Sequence, residues 1–254
     1  MKYAYVSGIT NDMFLNGLLT MFKSLNECCK DRSIDRVCFV TDDVSIASIK
    51  EIESNDIICR YVEKINVDTD DRWKTTFQKL SVFSFVEYSK IVWVDADMMI
   101  VKNLDQLFLK PHMSCVRSRS PMITGGGYSF NSGLMVIIPD EQEYNDLIES
   151  IPEVINRYHS IGSSVGDQNV LNEYYREWDT IKERHLEDGY NVFWGSIDKY
   201  IDEGYSVFDE KKKPIYVLHY TGKHKPWSRP LLFIIKTKIR SVRHLHHFPA
   251  QETT

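Results

Sequence analysis

Apolar positions in the first hundred residues switch between two periods. Residues 3–7 (Tyr-Ala-Tyr-Val-Ser) are a short run of strand type, and Gly8-Ile9-Thr10-Asn11-Asp12 reads as the turn that ends it. Leu15, Leu18, Leu19, Phe22 and Leu25 then recur at helical spacing and share one face, with Asn11 or Asp12 available as the cap. The alternation repeats as strand 36–41, helix 42–53 and strand 57–62. After the polar, acid-rich stretch 66–72 come a helix over 75–88, with Phe77, Leu80, Phe83 and Phe85 largely inward, and a strand over 91–94. Such strand–helix alternation predicts a mostly parallel, Rossmann-like sheet flanked by helices.

The second half is less regular. Strands are expected at 112–116 and 130–138, the latter opening on Asn131-Ser132-Gly133. Helices follow at 141–158, where Pro152 is expected to break or restart the element, and at 167–175; the last strand is 215–219. With no internal repeat or linker, the chain reads as one α/β domain over residues 1–228. A basic tail, 229–254, carries Lys236, Lys238, Arg240 and Arg243 and is expected to be helical or partly disordered. It reads as a solvated helix face, with docking to an anionic membrane or a charged acceptor as the functional alternative.

Composition narrows the classes. The chain has 254 residues, 43% hydrophobic and 26% charged, enough for one large α/β domain of ordinary globular character. A net charge of −5 argues against general nucleic-acid binding, and any phosphate ligand needs local cations to overcome the overall field. The 5 cysteines are odd in number and lack CxxC spacing, which fits free thiols in a reducing compartment. Residues 3–6 already read as a strand without a signal peptide's longer apolar region, and the late apolar run 231–235 is far short of a bilayer span. A cytoplasmic protein is expected.

The chemistry concentrates at Ile91-Val-Trp-Val-Asp95-Ala-Asp97. Strand interiors exclude charge, so the abrupt switch to two carboxylates marks the carboxyl edge of the sheet, where open α/β sheets hold their ligands. Paired hard oxygen donors there suit a divalent cation bound together with a substrate's phosphates. His219, at the end of a strand, is a candidate third ligand and favours Mn²⁺ over Mg²⁺ because imidazole is the softer donor. Gly222 permits a close turn, and Lys225 places a point charge six residues beyond that histidine.

Seven motifs in order then carry a resemblance: Thr10-Asn11-Asp12; Lys79-Leu80; Val94-Asp-Ala-Asp97; Asn103-Leu-Asp-Gln-Leu-Phe108; Phe130-Asn-Ser-Gly133; Gly166-Asp-Gln-Asn-Val-Leu-Asn172; and the stretch from His219 to Trp227. Over residues 3–227 the chain resembles glycosyltransferase family 8, the glycogenin and bacterial lipopolysaccharide galactosyltransferase group. The resemblance implies a GT-A fold, a Rossmann-like mixed central sheet flanked by helices. It further implies a retaining, Mn²⁺-dependent enzyme, with Mg²⁺ as the alternative ion. Such an enzyme moves a hexose, glucose or galactose, from a UDP-sugar to a glycan, lipid-linked or protein acceptor. By motif position Asp95, Asp97 and His219 hold the metal, and Asp95 and Ala96 border the donor. Lys225 and the Gly222 backbone meet the diphosphate. The edge from Val6 through Thr10 to Asn11 holds uracil and ribose, with Phe14 near the base. Lys79 and Asn131 touch the sugar or its phosphate, and Asp167 and Gln168 face the anomeric carbon. A homodimer remains open among its partners.

Physical chemistry supports the assignment independently. A glycosidase needs a protonated acid for its alkoxide leaving group. A diphosphate can instead be stabilised by a cation and a lysine, and Lewis-acid help of ~4 kcal/mol is about a thousandfold in rate. Asp167 is then the carboxylate expected to steady an oxocarbenium-like transition state. The Gly125-Gly-Gly127 run lacks a following P-loop lysine and reads as a flexible active-site loop, while Trp73, Trp178 and Trp194 receive no role. Three other readings stand beside this one. Self-glucosylating glycogen priming is disfavoured because Tyr200 follows Tyr190-Asn191 at an offset unlike that of glycogenins, and no synthase-binding extension follows Trp227. A nucleotidyltransferase would carry a basic, glycine-rich loop after the first strand. A non-catalytic sugar-nucleotide-binding protein would have lost some of the acids that are intact here.

Overall fold

The computed structural model describes residues 1–69, 71, 73–121, 128–222 and 225–228. The Gly125–127 loop and the basic tail lie outside the described residues. The leading strands and helices are β1 (Tyr3–Ile9), α1 (Leu15–Cys28), β2 (Asp35–Val40), α2 (Ile46–Glu53), β3 (Ile58–Tyr61) and β4 (Lys90–Val94). Then come β5 (Met98–Ile100), β6 (Ser114–Pro121), β7 (Tyr128–Ile137), α3 (Glu141–Ser160) and α4 (Asp167–Tyr174). The chain continues through β8 (His185–Leu186), β9 (Val192–Phe193), α5 (Ile197–Asp202), β10 (Tyr205–Ser206), β11 (Lys213–Pro214) and β12 (Val217–His219).

The central sheet runs β3-β2-β1-β4-β7-β6-β8. Its first four strands are parallel, as alternation predicts, but β7 joins β4 and β6 antiparallel, so the sheet is mixed. Both faces are covered. Along β4, Ile91 and Trp93 enter a core with Phe77, Leu80, Phe83 and Leu171, while Val92 and Val94 enter another with Leu18, Met21 and Phe22 of α1. Double-sided burial explains the continuous apolar runs of β1 and β4. Strand β1 extends through Gly8 and Ile9, which pair with Phe39 and Val40, so these residues belong to the sheet rather than to the turn. A Cβ on Gly8 would fall 2.2 Å from the Phe39 ring, and that ring stacks on Trp93.

The expected helix over 75–88 is instead a tight 3-10 segment, Lys74–Ser84. Helical spacing leaves Gln78, Lys79 and Ser81 outside, yet residues 77–83 are all buried, so the segment is wrapped by protein on every side. Its polar groups are satisfied within: Gln78 accepts from the Ile65 amide and donates to the Glu63 carbonyl and Ser81 Oγ. Pro152 does not break α3; it lies on the exposed face of the helix.

Three short strands missed or shortened by periodicity build the site. They form a second sheet, β5-β12-β9, in which His219 pairs with Met98 on one side and Phe193 on the other. That register sets His219 beside the residue following Asp97.

Candidate active site

Strand β4 ends between β1 and β7, and the chain turns at once into β5. Asp95 donates its amide to the Gly133 carbonyl at 2.9 Å, which fixes where its side chain leaves the sheet. Each aspartate then divides its two oxygens. Asp95 Oδ1 accepts from Trp93 Nε1 (2.9 Å) and faces Lys79 Nζ (3.0 Å), while Oδ2 lies 3.8 Å from His219 Nε2. Asp97 Oδ1 lies 3.1 Å from His219 Nε2, and its Oδ2 is paired with Lys225 Nζ. One oxygen of each acid therefore faces the imidazole and the other faces an ammonium group.

These three side chains are the sequence-predicted metal ligands, and the fold brings them together from residues 95, 97 and 219. One ligand atom from each lies within 4.8 Å of the others. Neighbouring ligands around a six-coordinate cation with bonds near 2.1 Å stand about 3 Å apart, the scale of the Asp97–His219 separation. Two hard oxygens and one borderline nitrogen suit Mn²⁺ or Mg²⁺ rather than a thiophilic ion. Burial raises the Asp95 carboxyl above its ordinary range, with Asp97 adding to the effect against the counter-pull of Lys79. Burial also opposes ionisation of Asp97, but His219 and Lys225 outweigh it and hold that carboxyl below the usual range.

Gly133 makes the convergence possible. A Cβ there would come within 2.6 Å of Met98 Cε, 2.7 Å of His219 Cε1 and 2.9 Å of Asn131 Oδ1. The Asn-Ser-Gly motif thus lies inside β7, with glycine where the histidine ring crosses the strand.

A second group adjoins the first through Lys79. Its buried ammonium bridges Asp95 and Asp167 (3.0 and 2.9 Å) and donates to the Ser132 carbonyl and hydroxyl (3.1 and 3.2 Å). Desolvation alone would lower its pKa; the two carboxylates reverse that and keep it charged. Asp167 is buried at the first turn of α4, where Ser132 Oγ donates to it at 2.7 Å and its own amide donates to Thr76 Oγ1. Asn172 exchanges two hydrogen bonds with the Phe130 backbone and so locks α4 against β7. Gln168 accepts from Asn131 Nδ2 and the Ser132 amide.

The remaining predicted donor residues line the same sheet edge with unequal access. Val6 is fully buried between β2 and β4, so its side chain belongs to the core. Thr10, half-buried, accepts from Thr41 Oγ1 on its carbonyl, and Asn11 caps the 3-10 turn Asp12–Phe14 that precedes α1. Phe14 meets Trp227 edge-on at 6.4 Å and lies under Lys225. Ala96 is buried, and its carbonyl and the Trp227 ring occupy the space a Cβ on Gly17 would need. Gly222 has φ +100°, a conformation side chains resist. Lys225, expected at a diphosphate, here pairs with Asp97 and donates to the Tyr220 carbonyl.

Sequence reasoning missed Ser132, Trp93 and Asn191 as parts of the site. Ser132 and Asn191 stood inside noted motifs; Trp93 carried no polar signal, because an indole in an apolar strand reads as packing. Of the tryptophans left without a role, Trp178 is core, Trp73 is partly exposed beside Gly166, and Trp194 packs on Tyr220.

A mixed α/β sheet carrying an acid-x-acid pair at a strand's carboxyl end, joined by a distant histidine, defines the GT-A class of glycosyltransferase. The glycosyltransferase family 8 model matches residues 6–230, and the chain belongs to that family. It is similar to glycogenin-1 of Caenorhabditis elegans, 28% identical over 236 residues that make up 89% of this chain and 51% of that protein. A protein of Arabidopsis thaliana described as a putative UDP-glucuronate:xylan alpha-glucuronosyltransferase 3 is 35% identical over 152 residues, 59% of this chain and 22% of its own length. The chain thus spans about half the length of the first of these relatives and under a quarter of the second. The galactosyltransferase LgtC, solved with donor and acceptor sugar analogs, superposes with a TM-score of 0.66 at 15% identity, covering 98% of both chains. Among the described residues no helix is long and apolar enough to cross a membrane.

Proposed function

We propose that the chain transfers a hexose from a UDP-sugar to a glycan, lipid-linked or protein acceptor, with retention of anomeric configuration. The observation that carries this reading is the convergence of Asp95, Asp97 and His219, with Lys79 linking Asp95 to Asp167. Asp95, Asp97 and His219 hold Mn²⁺, which when bound supplies Lewis-acid stabilisation to the departing diphosphate. Lys225 leaves Asp97 for the diphosphate as the donor arrives, adding a second positive charge to the leaving group. Lys79 pairs with Asp167 at 2.9 Å and fixes its carboxylate in place, where it steadies positive charge at the anomeric carbon. Gln168 positions the sugar beside it. Phe14 and the edge from Thr10 to Asn11 receive uracil and ribose.

Many transferases slowly hydrolyse their true donor, so a donor panel tests the reading. UDP-glucose, UDP-galactose and UDP-glucuronate are incubated with Mn²⁺, the last because relatives are named for it. One donor should release UDP without pyrophosphate, and a chelator should stop the release. Pyrophosphate release would point to a nucleotidyltransferase, and failure of every donor to bind or react would defeat the proposal. A mass increase in hexose steps on the protein itself would favour self-glucosylation.

A further inference from the structure

A chain of side-chain amides runs from the candidate catalytic helix to the metal-site histidine, and its polarity is set by two backbone groups. The Gly133 amide donates to Asn131 Oδ1 at 2.9 Å, which fixes which end of Asn131 is oxygen. Asn131 Nδ2 then points to Gln168 Oε1 (3.0 Å), where the Ser132 amide also donates (3.2 Å). Because Asn131 Oδ1 is an acceptor, the group of Asn191 facing it at 2.5 Å must be the donor Nδ2. Asn191 Oδ1 is left to face His219 Nδ1 at 2.8 Å, and an oxygen acceptor there requires Nδ1 to carry the proton. Nε2 is then the ring atom that faces Asp97 and Asp95, and the one that would offer its lone pair to a cation held there.

The geometry points to Asn191 as a positioning residue that selects the Nδ1–H tautomer of His219 and so presents Nε2 as a ligand. The proposal rests on the metal-site reading given above. Without Asn191 the preference inverts: Asp97, 3.1 Å from Nε2, is an acceptor that favours a proton on Nε2, the form that cannot bind a cation through that atom. Asn191 is 2% exposed, so water does not readily replace its oxygen. The same chain directs the Gln168 carbonyl oxygen into the protein and leaves its NH₂ as the polar group it offers to the site. Outer ligands of this type typically govern 10- to 100-fold in metal affinity.

The test uses ¹⁵N-labelled full-length protein without metal, at an alkaline pH at which the His219 ring carries a single proton. Long-range ¹⁵N–¹H spectra report the ring tautomer, with His219 assigned by comparison with His219→Gln. Wild type should show Nδ1–H, Asn191→Ala should move the population to Nε2–H, and its Mn²⁺ affinity should fall about 10- to 100-fold. Asn191→Asp retains an acceptor for Nδ1–H and should keep both the tautomer and the affinity, while losing the donor to Asn131 and with it about tenfold or more in donor hydrolysis. A wild-type Nε2–H ring, an Asn191→Ala protein that keeps Nδ1–H with affinity within about twofold, or an Asn191→Asp protein that loses the tautomer overturns the proposal. If Asn191→Ala does not fold, the wild-type and Asn191→Asp spectra decide it. Wild type that binds no Mn²⁺ refutes the transferase reading instead, and the tautomer still reports on Asn191.

Discussion

Replacing Gly133 with alanine should disable metal binding while leaving the fold in place. The added methyl would stand 2.7 Å from His219 Cε1, whereas carbon atoms rest at about 3.5–4.0 Å, so about 1 Å of clearance must be found. Met98 Cε, at 2.6 Å, is the end of a flexible chain and can swing away. The imidazole cannot move without stretching its contacts to Asn191 and Asp97. Overpacking of this size destabilises by about 1–3 kcal/mol, which a domain with this core should survive. Moving a ligand nitrogen by about 1 Å is expected to weaken Mn²⁺ binding and donor turnover about 100-fold. Gly195→Ala is the control: nothing lies within 4 Å of its Cβ position, and its melting should stay within about 0.5 kcal/mol of wild type. Calorimetric or paramagnetic Mn²⁺ titration reads the outcome. A Gly133→Ala protein that binds Mn²⁺ within about twofold of wild type would refute the packing argument, because the ring would then have found room the structure does not offer.

Three further outcomes follow from the same contacts. Lys79→Met removes the counter-charge of two carboxylates, each pair amounting to about 5 kcal/mol of attraction at ~3 Å in an effective dielectric near 20, and should cost about 3–5 kcal/mol in a denaturant melt. Since burial already raises Asp95, that carboxyl should take up a proton on folding of the variant; the deficit should shrink as pH falls and grow as pH rises, and a pH-independent deficit would contradict this. Asp167→Asn should abolish transfer while leaving UDP affinity within a few-fold, and normal turnover would remove Asp167 from the chemistry. Gly17→Ala places a methyl 2.6 Å from the Trp227 ring and 2.8 Å from the Ala96 carbonyl; weaker UDP binding with changed indole fluorescence is expected, and unchanged affinity would detach the 225–228 segment from the donor site.

Much of the fold was legible because its first half repeats a local code. The strands of β1, β2 and β4 are apolar on both faces, and the stripe on α1 has helical spacing, so period alone located them. The acid pair at the end of β4 was legible for the same reason, since charge does not continue a buried strand. Local pattern failed where burial was set by distant partners. Residues 74–84 lie among α3, α4 and the sheet, so polar positions that read as outward are inside. Strands β5 and β9 are three and two residues long, too short for any period to register, whereas β12 lies within the strand expected at 215–219.

The sequence by itself determined the inventory: two acids after an apolar strand, a histidine at the end of another, an Asn-Ser-Gly motif, and lysines at fixed offsets. Only the tertiary structure decided which oxygen of each acid faces the imidazole, that Lys79 bridges Asp95 to Asp167, and that Lys225 pairs with Asp97. Residue types are written locally, but distances among positions 79, 95, 133, 167, 191 and 219 exist only once the two sheets have paired. Hydrogen bonds and ion pairs act over about 3 Å, and no linear spacing encodes a separation that short between residues so far apart along the chain.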